Sequence, residues 1–146
     1  MNKHLSTIIL NVNGLNVPIK GHRIAEWIRK HDPQICCLQE THLRTEDLHR
    51  LKVKGWKQIF QANRQEKKAG VAILISDKID FKTRAIKRDP EGHFIILQGR
   101  IHQDIKIVSI CEPNIGAPKH IKKILEDFKK DIDSNTIIVG DFKTPM

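Results

Sequence analysis

Apolar residues in this chain come in short runs, and three of those runs end on an oxygen-bearing side chain. Ile35-Cys36-Cys37-Leu38-Gln39 leads to Glu40, Ile8-Ile9-Leu10 leads to Asn11, and Ile137-Ile138-Val139-Gly140 leads to Asp141. A bounded apolar run of this length is too short for a comfortable helix and predicts a buried strand. In α/β proteins, ligands and metal ions bind outside the carboxyl ends of such strands. If the three strands lie side by side, Asn11, Glu40 and Asp141 converge on one spot, far apart as they are in the chain. That spot is the expected functional centre.

The remaining segments fill in an α/β order. Ile24, Trp27 and Ile28 recur at helical spacing within Lys20 to Lys30, and His31-Asp32-Pro33 stops that helix, since a residue before proline avoids the helical region. Thr45 followed by Glu46 and Asp47 has the form of a capped helix start. Gly70 to Ile75 is continuously apolar and predicts a central strand. Phe81 to Ile86, His93 to Arg100 and Ile105 to Ile110 predict further strands. The turn at Arg88-Asp89-Pro90-Glu91-Gly92 makes a hairpin of the first two. Ile121, Ile124, Leu125, Phe128 and Ile132 form the clearest helical stripe. There is no internal repeat. The expectation is a mixed sheet flanked by helices, in a single domain over 1–146.

Bulk properties narrow the partners. With 146 residues, 39% hydrophobic and 29% charged, the chain can bury a core and is not of disordered composition. A net charge of +9 predicts modest affinity for a polyanion such as nucleic acid, modest because the lysines and arginines are scattered. Three cysteines, two adjacent, make neither a disulfide framework nor a zinc motif. Cys36 and Cys37 are expected to be reduced core residues on opposite faces of one strand. No secretory signal and no apolar stretch of membrane-spanning length is present, so an intracellular location, nuclear or cytoplasmic, is expected.

Hard cations such as Mg²⁺ take oxygen ligands, usually one or two carboxylates with waters and a substrate phosphate. Glu40, alone or with Asp141, meets that need, and Asn11 could orient a carboxylate or a phosphate oxygen. The chemistry this pattern allows is metal-assisted phosphodiester hydrolysis. Acidic residues after strands are common, so the pattern alone leaves a merely solvated rim open. His42 could hold a phosphate or a proton, or be an ordinary loop histidine. No Gly-x-Ser-x-Gly elbow and no glycine-rich phosphate loop occurs.

Taken together, several words resemble one family. Leu10-Asn11-Val12-Asn13-Gly14-Leu15-Asn16, Leu38-Gln39-Glu40-Thr41-His42, Lys68-Ala69-Gly70-Val71-Ala72-Ile73-Leu74, Pro113-Asn114 with Gly116-Ala117-Pro118, and Gly140-Asp141-Phe142 are similar to the endonuclease domain of LINE retrotransposon open-reading-frame proteins. That domain belongs to the endonuclease/exonuclease/phosphatase superfamily, with the apurinic/apyrimidinic endonucleases. The resemblance runs along essentially the whole chain. It implies the amino-terminal half of a four-layer α/β sandwich that nicks DNA with Mg²⁺. It also implies that Asn11 helps bind metal or phosphate, that Glu40 holds the metal and that Asp141 positions the attacking water. By the same resemblance Asn114 lies in a loop on the DNA-binding side.

Departures from the family words point the other way. Cys111 stands where the family has tyrosine, Glu112 where it has alanine, and Lys143 where Gly-Asp-Phe-Asn has its final asparagine. A thiol lacks a phenol's reach, and a lysine ammonium donates but cannot accept; Lys143 could pair with Asp141 or swing into solvent. The family's later aspartate and histidine words do not occur before Met146. From that ending, a truncated domain is expected, lacking the second sheet, with Val71 to Ile75 partly uncovered and prone to self-association. Two functions therefore stand side by side: a Mg²⁺-dependent DNA endonuclease of little or no activity, or a non-catalytic, basic nucleic-acid-binding remnant. A phosphoinositide or phospholipid hydrolase is a third, disfavoured by the retrotransposon-type words.

Overall fold

The computed structural model describes residues 6–12, 18–42, 52–62, 70–89, 94–101, 103–111 and 136–141. Eight strands and one helix are described: β1 (Thr7–Asn11), α1 (Pro18–His31), β2 (Ile35–Gln39), β3 (Gln58–Ala62), β4 (Val71–Ile75), β5 (Lys82–Arg88), β6 (Phe94–Arg100), β7 (Asp104–Cys111) and β8 (Thr136–Asp141). They form two four-stranded sheets, ordered β1-β2-β4-β3 and β5-β6-β7-β8. Each is mixed. β1 runs parallel to β2 and β7 parallel to β8, and the other neighbours are antiparallel. The expected helix starts at Thr45 and over 121–132, and the loop at 113–118, lie outside the described residues.

The sheets pack face to face. Alternate residues of each strand point to opposite faces, so β2 sends Ile35 and Cys37 into the space between the sheets and Cys36 and Leu38 to the outside. Ile35, Cys37, Val71, Ile73, Ile75, Ile95, Leu97 and Ile107 fill the inter-sheet core together with Ile79 and Phe81. On the outer face of the first sheet, Cys36, Leu38, Ala72 and Leu74 pack against Ile28, Trp56 and the flank of α1. The two cysteines are therefore free and buried on opposite faces, as their adjacency in a strand requires. Burial pushes both thiols up to about 12, with Cys36 adding to the rise at Cys37, so neither is a nucleophile near neutral pH.

Two expectations are corrected here. The second sheet is present, and Val71–Ile75 is covered on both faces, its residues 0–1% exposed. An uncovered β4 cannot therefore drive self-association. Nor do the three oxygen-bearing strands lie side by side, because β8 belongs to the second sheet. Apolar periodicity reports which face a residue takes, not which sheet its strand joins. The expectation that β4 is central holds: it sits between β2 and β3, antiparallel to both.

Local chemistry sets the ends of α1. Arg29, Lys30 and His31 occupy its last turn, where cations meet the negative end of the helix dipole. Asp32 adopts φ 48° and its N–H donates to the Ile28 carbonyl at 2.8 Å, closing the helix before Pro33. The Trp56 indole donates to the Pro33 carbonyl at 2.9 Å, which ties the segment before β3 to the helix end. No described helix is long and apolar enough to cross a membrane.

Candidate functional site at the sheet rim

Strands β1 and β2 are parallel and in register, Asn11 opposite Gln39, so both end at the same rim. β7 and β8 are parallel and in register, Cys111 opposite Asp141. The Gln39 side chain reaches across to the Ile110 carbonyl at 3.0 Å, so the ends of β2 and β7 meet. β1 and β8 also approach each other across the sandwich. The backbone ends carrying Asn11, Glu40 and Asp141 thus share one rim, by convergence of two sheets rather than within one.

At that rim the Asn11 amide Nδ2 donates to Oε2 of Glu40. Glu40 is half-buried and Asn11 exposed, so the carboxylate is reachable from solvent. Glu40 lies just past β2 with φ 53°, and His42, also half-buried, has φ 53°. Left-handed backbone at a residue with a Cβ is uncommon and costs about 1 kcal/mol or more. The surrounding hydrogen bonds hold it in place. The Val12 N–H donates to the Gln39 carbonyl at 3.0 Å, and the Thr41 N–H to the Gly70 carbonyl at 3.2 Å. Gly70 itself takes φ 131°, a conformation open to glycine alone without strain. Between the two left-handed residues Thr41 is fully buried, and its hydroxyl has no hydrogen-bond partner among the described residues.

The predicted site residues divide accordingly. Asn11 and Glu40 are joined directly, and His42 stands two residues on at the same rim. For Asp141 and Cys111 the strand position and register are described. Asn114, Glu112 and Lys143 lie outside the described residues. Gln39, not among the predicted site residues, carries its own signal in the sequence, since an amide closing an otherwise apolar strand marks a buried hydrogen bond.

Among the described residues no three His, Cys, Asp or Glu side chains gather into a metal cluster. The donors present still fit a hard cation. Mg²⁺ keeps several waters and needs only one or two carboxylates, and Glu40 offers one, oriented by an amide and open to solvent. A soft or tetrahedral metal, which calls for thiolate or imidazole, finds no such set there.

The Endonuclease/Exonuclease/phosphatase family model matches residues 8–142. Among solved structures, D. rerio TDP2 complexed with single strand DNA product superposes with a TM-score of 0.71 at 16% identity, over 97% of this chain and 62% of that one. A functionally unknown conserved protein from Enterococcus faecalis gives 0.73 at 17%, over 96% and 67%. Truncated Caenorhabditis elegans TDP2 gives 0.64 at 18%, over 97% and 63%. The chain thus spans somewhat under two thirds of the TDP2 chains it matches. At these identities the structures speak for the fold, and the two-sheet α/β sandwich is theirs. By the family model, covering nearly its whole length, the chain belongs to the Endonuclease/Exonuclease/phosphatase family.

Proposed function

We propose that this chain carries a Mg²⁺-dependent phosphodiester-hydrolase site of the retrotransposon DNA-nicking type, with turnover held low by its departures from the family words. The observation that carries the reading is the Asn11–Glu40 hydrogen bond at a solvent-reachable rim where both sheets end. Glu40 would hold the ion, and Asn11 keeps the carboxylate aimed by donating to one of its oxygens. Once bound, the ion would supply charge stabilisation on the phosphate oxygens. Asp141, at the end of β8, would orient the attacking water, and His42 would contact the substrate phosphate.

Low turnover follows from three residues. Cys111, opposite Asp141 in register, cannot replace a phenol hydrogen bond to the scissile phosphate. Lys143 brings an ammonium two residues from Asp141, and Glu112 puts a negative charge next to Cys111 in the chain. Losing one such general-base or orienting group typically costs about 10²- to 10⁴-fold in rate. The test is nicking of supercoiled plasmid with Mg²⁺ by the natural chain, by Glu40→Ala, and by a Cys111→Tyr/Glu112→Ala/Lys143→Asn variant. Nicking near the Glu40→Ala baseline for the natural chain, rising in the triple variant, is expected. Nicking of the natural chain well above that baseline would refute low turnover, and nicking that ignores Glu40 would refute the site.

The +9 charge favours a second reading, a basic nucleic-acid-binding remnant without turnover. Its signature is DNA affinity that falls steeply with salt, by counterion release, and that is unaffected by Glu40→Ala.

A further inference from the structure

We propose that Gln39 is a positioning residue, the tie that sets the two carboxylate-bearing strand ends of the sandwich against each other. This rests on the reading that Glu40 and Asp141 work at one site. Gln39 is completely buried between the sheets, and its Nε2 donates to the Ile110 carbonyl at 3.0 Å. Glu40 is the next residue along the chain from Gln39. Ile110 pairs in register with Gly140, whose next residue is Asp141. Glu40 therefore stands one residue along from the tie on the first sheet, and Asp141 one strand across and one residue along from it on the second.

Direction, rather than stability, is what this amide supplies. Hydrogen bonds from Gln58 to the Phe81 carbonyl and from the exposed Arg88 to the Gln61 carbonyl also join the sheets, but neither lies between the ends of β2 and β7. The rest of the described contact is largely aliphatic, and aliphatic packing is non-directional, whereas a hydrogen bond weakens steeply with misalignment. As a source of stability the amide is a poor choice. Among the described residues its Oε1 has no partner, nor has the buried hydroxyl of Ser109 beside Ile110. An unpaired buried acceptor forfeits much of what the paired donor contributes. A leucine of similar volume would fill the space without that penalty, but could not hold the sheets in one register along the strand direction.

The base of the sandwich, where β5 begins, offers an internal control. There the Gln58 Nε2 donates to the Phe81 carbonyl at 3.0 Å, and the Gln58 Oε1 is likewise without a partner. The bond is of the same kind, but no candidate site residue is near it in the chain.

Mn²⁺ is the probe, titrated into wild type, Glu40→Ala, Gln39→Leu, Gln39→Asn and Gln58→Leu, with thermal midpoints taken alongside. Gln39→Leu, and Gln39→Asn with its shorter reach, should weaken Mn²⁺ binding roughly 10- to 100-fold, as outer partners of metal ligands do. The midpoint of Gln39→Leu should stay close to wild type. Gln58→Leu should leave Mn²⁺ affinity unchanged. A metal-free arm reads the backbone amide shifts of Cys111, Gly140 and Asp141, which should move in Gln39→Leu and stay in Gln58→Leu. Wild-type Mn²⁺ affinity in Gln39→Leu, or unmoved amides at those three residues, overturns the proposal. If wild type and Glu40→Ala bind Mn²⁺ alike, the metal reading fails, and the amide shifts alone decide the tie.

Discussion

At the base of the sandwich Phe81 lies across Gly99 so closely that a Cβ on the glycine would fall 2.3 Å from the ring, with Ile75 and Ile79 closing the core around them. At the rim, on the same two sheets, Gln39, Thr41 and Ser109 bury polar atoms without partners, and Glu40 and His42 bend the backbone left-handed. The base has positive-φ residues too, Asp32 and Gly55, but at Asp32 the conformation caps a helix and at Gly55 a glycine takes it without strain. The difference is one of degree, since Gln58 at the base also buries an acceptor without a partner among the described residues. The base rests mainly on apolar close packing, and the rim adds strained and polar geometry that stability alone would not favour.

Phe81→Ala should produce the largest effect of the variants that probe this contrast. The ring is 3% exposed, meets Phe60 edge-on at 6.2 Å between centroids and roofs Gly99. Its removal opens a cavity in the inter-sheet core, and a loss of about 3–5 kcal/mol is expected by urea unfolding. A loss below about 1 kcal/mol would mean that the base is not the close-packed end. Gly99→Ala attacks the same contact from the other side. The new methyl would also fall 2.7 Å from the Lys82 carbonyl, so ring and backbone must both move, at a cost of about 1–3 kcal/mol.

At the rim the sign should reverse. Glu40→Gly removes a Cβ from a left-handed residue and should raise stability by roughly 0.5–1 kcal/mol, less what the half-buried side chain contributes in packing. It should also abolish Mn²⁺ binding, which Glu40→Ala would abolish without the gain in stability. Stability and site would then be opposed at a single residue. Equal stability for the alanine and glycine variants would show that the bend at Glu40 carries no strain.

Part of this arrangement is legible in the sequence. The alternation at Cys36 and Cys37, the apolar β4 and the carboxylate at the end of β2 are local patterns, and local patterns survive folding. Gly99 carried a signal too, since a glycine inside an apolar strand marks a bulge or a close approach. The partnership of β8 with β7 was not legible. Pairing between distant strands depends on which edges are open once the sheets form, and its aliphatic sequence would suit either sheet. Left-handed Glu40 carries no sequence signal either, because that conformation announces itself through glycine, asparagine, aspartate or histidine; His42 belongs to that set and Glu40 does not. The site's constituents were thus visible, but its assembly across two sheets was not.

The smallest expected effect lies at the base surface, where the contrast predicts that polar contacts matter little. The pairing of β5 with β6 slips between Thr83 and Ala85, and the extra residue, Arg84, reaches Asp104 at 3.0 Å. Those side chains are 64% and 67% exposed, so water competes for both charges and salt screens them. Arg84→Ala should therefore cost no more than about 0.5 kcal/mol, with the remainder vanishing in high salt. The bulge should survive, since the backbone pairing on either side holds it. A loss of several kcal/mol would instead make this bridge a structural clamp, and the base would then rest on charge as well as on Phe81 over Gly99.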